Sequence, residues 1–106
     1  MARRKTRNAL ELIARDVADD PNVWRRVEQE KLNAQVARAI YDARTAAELT
    51  QKQLAELVGT TQPVIARLED ADYDGHSLTM LRRIAEALDR RVEVRLLPRR
   101  KSAQRT

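Results

Sequence analysis

The chain has 106 residues, 42% hydrophobic and 35% charged, with two glycines, three prolines and no phenylalanine; this suits one compact, helix-rich domain with extensions and a core of small aliphatic side chains. No cysteine and a single histidine, His76, exclude a disulfide framework, a thiolate nucleophile and a clustered metal site, so no cofactor is expected. The net charge is +5, but residues 91–106 carry six basic groups and one acidic group while residues 31–90 carry eight and nine, so charge alone argues little for nucleic acid and local geometry has to carry that case.

Residues 1–7 form a basic leader. Residues 9–18 suit a short amphipathic helix, with Leu10, Ile13 and Val17 at helical spacing. Asp19-Asp20-Pro21 breaks it: Asp20 is a good N-cap and Pro21 fits a first helical position, so a long helix is expected from residue 21 to about 47. Its first half, with Val23, Trp24, Val27 and Leu32, has a thin apolar stripe, whereas Val36, Ala39, Ile40 and Ala43 read as core-facing. Thr50 with Gln53 three residues on makes a capping box for a helix over 51–58, and Gly59 ends it where a left-handed residue is wanted. Thr60 or Thr61 caps a helix over 62–69, with Pro63 in its first turn. A polar loop, 70–76, leads to Ser77, which caps a helix over 78–88. Residues 91–97 alternate with period two and read as a strand ended by Pro98, and residues 99–106 form a disordered basic tail. No apolar run approaches the roughly 18–20 residues of a membrane span, and the acidic groups after the leader do not suit a signal peptide. A soluble, cytoplasmic protein is the expectation.

Residues 51–70 carry the chemistry. Two short helices can cross steeply only over a small side chain and a tight turn; Ala55 supplies the first and Gly59 the second. Leu54, Val58, Ile65 and Leu68 are spaced to join both helices to one core, and Gln51, Lys52, Glu56, Gln62 and Arg67 face outward. The plainer alternative is that two capped helices simply pack within a bundle.

Over residues 36–97, including LTQKQLAELVGTTQPVIARLE and SLTMLRRIAEAL, the chain resembles the Cro/C1-type family, also called the xenobiotic-response-element (XRE) family. The resemblance implies an all-α, lambda-repressor-like helix-turn-helix bundle over residues 32–90; beyond it the residues themselves read as an N-terminal helical extension over 1–31 and a C-terminal β-strand over 91–98. It places the helix from Gln62 in the major groove of double-stranded DNA and the N-terminus of the helix from Gln51 at a phosphate. Gln62 falls at the first base-reading position, where an amide suits adenine, and Arg67 reaches guanine or a phosphate. Gln51, Lys52, Thr60 and Thr61 position the duplex through phosphate oxygens. Arg44 and Glu69 occupy positions that in this family form a semi-buried ion pair. One departure stands out: Ala71 replaces a glycine common after the recognition helix, and Asp70, Asp72 and Asp74 would repel a phosphate there. This acidic loop lacks the ligand spacing of a calcium-binding loop.

The layout of both ends is similar to HigA-type antitoxins, repressors made together with a RelE-like ribonuclease toxin. A stripe as short as Leu10, Ile13 and Val17 is unstable alone and must dock, either on its own domain or in the groove of a partner. The antitoxin resemblance favours a toxin partner, with Trp24 as an interface anchor or a packing residue. A lone strand also needs a partner. Two copies paired antiparallel about Val94 would set Glu93 against Arg95 and put Val92, Val94 and Leu96 on one shared face, giving a two-fold homodimer on a palindromic operator. Three functions remain open: an antitoxin that represses its own operon, a stand-alone transcriptional regulator of the same family, and an interaction module without DNA binding. No residues converge as acid, base, nucleophile or metal site, so an enzyme is not expected.

Overall fold

The computed structural model describes residues 20–98. The leader, the stripe of Leu10, Ile13 and Val17, and the tail at 99–106 lie outside the described residues. The described residues form four helices: α1 (Pro21–Ala46), α2 (Gln51–Val58), α3 (Gln62–Leu68) and α4 (Leu78–Ala87).

Local capping chemistry sets most of the boundaries. Asp20 accepts from the Asn22 N–H, and Pro21 follows as the first helical residue. At the other end of α1 the chain turns through Glu48 at φ 59°, where the Leu49 N–H reaches back to the Arg44 carbonyl at 3.2 Å. Around α2 the capping box is complete: Gln53 N–H donates to Thr50 Oγ1 at 3.0 Å, and Thr50 N–H donates to Gln53 Oε1 at 2.8 Å. Gly59 closes α2 at φ 85°, a left-handed conformation that any residue with a Cβ adopts at a cost. Thr61 is the N-cap of α3. The α3 helix ends one residue before the expected limit, because Glu69 leaves helical geometry and turns its carboxylate toward α1. Ser77 caps α4 by accepting from Met80 N–H at 3.1 Å, and α4 ends through Asp89 at φ 58°.

The core is one cluster of Ile40, Leu54, Ala55, Val58, Ile65, Leu68 and Ile84, with Val36, Val64, Met80, Leu81 and Leu88 packed around it. The α2 helix sits at its centre, packing chiefly on α3 and next on α4. Ala55 is buried against this packing, and its carbonyl accepts from both Gly59 and Thr60 N–H. A larger side chain at residue 55 would push α3 away.

Only the second half of α1 enters this core. Its first buried residue is Ala37. Residues 21–32, about 18 Å of helix, extend as an arm on which Trp24, Val27 and Leu32 are exposed.

The expected strand over 91–98 is not seen in the single chain: no strand occurs among the described residues. The period-two alternation is present, but a strand satisfies its backbone only through a neighbouring strand, and four helices supply none. Val94 and Leu96 are 66% and 95% exposed. Glu93 pairs with Arg95 of its own chain at 3.3 Å, with both side chains largely in solvent, where such a pair contributes little.

Candidate nucleic-acid interface

The geometry of α2 and α3 follows from which side chains are buried. On α3, Ile65 and Leu68 point into the core, while Gln62, Pro63 and Arg67 are exposed. At 100° per residue, Gln62 and Arg67 lie about 140° apart around the helix. They therefore flank an exposed arc rather than sharing one line, and Pro63 and the half-buried Ala66 lie between them. The short ridge of α3 is narrow enough for a DNA major groove.

The N-terminus of α2 lies beside that ridge. Its capping box engages the N–H groups of Thr50 and Gln53. Those of Gln51 and Lys52 point toward the same end, where the helix dipole favours an anion. Lys52 and Thr61 are exposed and Thr60 is half-buried. The Gln51 side chain, by contrast, is used within the protein. Its Nε2 donates to Glu69 Oε1 at 3.1 Å, and its Oε1 accepts from Gln62 Nε2 at 2.7 Å.

Behind this lies an ion pair. Arg44 Nε donates to Glu69 Oε2 at 2.6 Å and Nη2 to Glu69 Oε1 at 3.0 Å. Arg44 Nη1 donates to the Leu49 carbonyl at 2.7 Å. The two side chains are 11% and 5% exposed. Hydrogen bonding to Glu69 holds the Arg44 guanidinium above its already high ordinary pKa, outweighing the opposing effect of burial. The pair joins α1 to the C-terminal end of α3 across the packed domain, and the Tyr41 ring lies 5.3 Å from the guanidinium. The structure thus brings Arg44, Glu69, Gln51 and Gln62 into one connected chain.

Two contacts at this site were not foreseen. Arg83 Nη2 on α4 donates to the Val58 carbonyl at 2.8 Å, satisfying the C-terminal end of α2 at the turn. His76 Nε2 reaches the Leu68 carbonyl at 2.7 Å and does the same for α3. A basic residue 25 positions from its acceptor leaves no local trace in the sequence. The acidic loop has an internal job as well. Asp70 Oδ1 accepts from Asp72 N–H at 2.9 Å, shaping the turn, and Gly75 lies so close to the Tyr73 ring that a Cβ there would collide with it.

Other predicted residues stand elsewhere. Trp24 is on the α1 arm, about 30 Å along the helix from Arg44. Val92, Val94 and Leu96 lie in the C-terminal segment, with Val92 beside an apolar cleft of about 320 Å³ between α1 and α4, lined also by Val36, Ala39, Ala43, Leu81 and Leu88. Among the described residues, no group of acidic and histidine side chains could hold a metal ion, and no helix is long and apolar enough to cross a membrane.

Comparison with curated proteins finds no match, and comparison with solved structures finds none. The profile of a family described as a helix-turn-helix domain matches residues 6–96, nearly the whole chain and all four described helices. The capped α2, the left-handed turn at Gly59 and the exposed ridge of α3 are therefore the elements of a DNA-binding regulator's domain, and the chain belongs to the helix-turn-helix domain family.

Proposed function

We propose that this protein is a sequence-specific, operator-binding transcriptional repressor of the Cro/C1 type, and that it acts as the antitoxin of a toxin–antitoxin pair. The observation that carries the DNA-reading part is the division of α3: Ile65 and Leu68 anchor the helix in the core while Gln62 and Arg67 flank its outward arc. In this reading Gln62 and Arg67 meet base edges, and Lys52, Thr60, Thr61 and the backbone N–H groups at Gln51 and Lys52 meet phosphates. The engagement of the Gln51 amide within the protein supports giving the phosphate contact at that end to the backbone. The protein works in the cytoplasm, with the DNA it binds.

The active form is a two-fold dimer joined through residues 91–98, with Val92, Val94 and Leu96 at the joint. The exposure of Val94 and Leu96 and the apolar cleft beside Val92 support this. Half-sites then lie about one helical turn, roughly 34–36 Å, apart. The antitoxin role rests on the N-terminal side. The α1 arm adds nothing buried to the core before Ala37 and displays Val27 and Leu32, and the stripe of Leu10, Ile13 and Val17 precedes it. Together with Trp24 these residues suit the groove of a RelE-like toxin.

Selection of duplexes from a randomised double-stranded pool tests the repressor reading. A palindromic site should emerge, and a Gln62→Ala, Arg67→Ala double variant should lose its sequence preference while keeping salt-dependent, non-specific binding. Retention of that preference would count against the assignment. Sedimentation of a Val94→Pro variant should show monomers; an unchanged dimer removes the strand as the joint. Co-expression with a basic protein encoded alongside should arrest growth only when residues 1–20 are deleted. Growth unaffected by the deletion would leave a stand-alone regulator.

A further inference from the structure

We propose that Glu69 is a positioning residue for base choice: through Gln51 it makes Gln62 present a carbonyl oxygen to the DNA, favouring adenine over guanine at the base pair that Gln62 reads. The inference rests on the reading of Gln62 as a base contact.

The argument follows hydrogen-bond polarity. A carboxylate only accepts. Glu69 Oε1 takes one bond from Arg44 Nη2 at 3.0 Å and one from Gln51 Nε2 at 3.1 Å. The Gln51 amide can therefore turn only its NH₂ group toward Glu69, and its carbonyl must face the other way. That carbonyl accepts from Gln62 Nε2 at 2.7 Å. The polarity passes on: Gln62 has one N–H committed, and its own Oε1 and second N–H remain for a ligand. The Glu69 side chain is 5% exposed, so water cannot readily stand in for the amide, and Arg44 fixes the carboxylate with two bonds.

The consequence is chemical. In the major groove adenine offers a donor, N6, beside an acceptor, N7; guanine offers two acceptors, O6 and N7. A carbonyl with one N–H beside it matches adenine, and the same carbonyl faces guanine O6 acceptor to acceptor. With the relay reversed, Gln51 would donate to Gln62 Oε1, and Gln62 would turn two N–H groups outward, which suits guanine. Glu69 reaches Gln62 only through Gln51, so its effect on base choice is indirect.

The test uses duplexes selected by the full-length wild-type protein from a randomised double-stranded pool. Affinities for all four base pairs at each half-site position are then compared by fluorescence anisotropy. Gln62→Ala locates the pair that Gln62 reads, as the position where preference flattens. There the wild type should favour adenine over guanine by roughly five- to a hundred-fold. Glu69→Met, which removes the acceptor and frees the Gln51 amide to turn over, should shrink that ratio to near unity while the salt dependence of binding stays unchanged. Gln51→Met should do the same without touching the ion pair, which keeps the test decisive if Glu69→Met folds poorly. A merely structural role would lower affinity for all four duplexes alike. A folded Gln51→Met variant that keeps the wild-type adenine preference, at a position that Gln62→Ala flattens, overturns the relay and leaves base reading by Gln62 intact. If Gln62→Ala flattens no position, the base reading fails and takes this inference with it.

Discussion

Truncating Arg44 should remove a large share of this protein's stability, although the residue lies outside the hydrophobic core. In Arg44→Met the Glu69 carboxylate loses both guanidinium bonds and keeps only Gln51 Nε2 as a partner, at a side chain 5% exposed. The Leu49 carbonyl loses its donor as well. Removing one partner of a buried pair costs about 3–5 kcal/mol, most of it the penalty of leaving the other charge without compensation. A domain of this size has on the order of 4–12 kcal/mol of total stability, so the loss takes a large share of it. Replacing both partners is different. Arg44→Met with Glu69→Met removes the stranded charge together with its attraction, so the double variant should be less damaged than the sum of the singles. Urea denaturation followed by circular dichroism, carried through the full double-mutant cycle, measures the coupling. The raised pKa of Arg44 sets the pH behaviour. A cation whose folded pKa lies above its unfolded value contributes fully below the unfolded value and is lost only as pH rises through the folded one. The Arg44→Met deficit should therefore not change between neutral and moderately alkaline pH. Single variants that each cost under about 1 kcal/mol, the level of a solvent-exposed pair, would refute the reasoning.

Three further outcomes follow from local geometry. Gly59→Ala should destabilise by about 1–2 kcal/mol in thermal melts. A Cβ there meets Arg83 at an ordinary 3.7 Å, so the cost is that of φ 85° rather than of a clash, and Gly59→Asn should cost less. Arg83→Met should cost roughly 1.5–3 kcal/mol by freeing the Val58 carbonyl, with hydrogen exchange rising first at the end of α2 and the start of α3. Glu48→Gly should stabilise by about 0.5–1 kcal/mol, because Glu48 holds a left-handed conformation at φ 59°; a lower melting temperature would show that the Glu48 side chain contributes something the strain argument omits.

The sequence by itself determined what depends on neighbours a few residues apart. Asp20-Pro21, the Thr50–Gln53 box, Gly59 and Ser77 act over one helical turn, so the starts of α1, α2 and α4 and the end of α2 were legible from them. The spacing of Leu54, Val58, Ile65 and Leu68 likewise encoded the core face, because helical periodicity is a local property. Glu48 and Asp89 were missed as left-handed residues, since neither is the glycine or asparagine that announces that conformation. Only the tertiary structure decided what crosses between elements. Sequence resemblance suggested Arg44 and Glu69 as partners, but packing showed the carboxylate accepting from Gln51 and so orienting Gln62 across 18 and 11 positions of chain. Arg83 meets Val58 for the same reason. Residues 91–98 mark the opposite limit: alternation records a preference for extended backbone, but a strand exists only where another edge accepts its hydrogen bonds, and among the described residues none does.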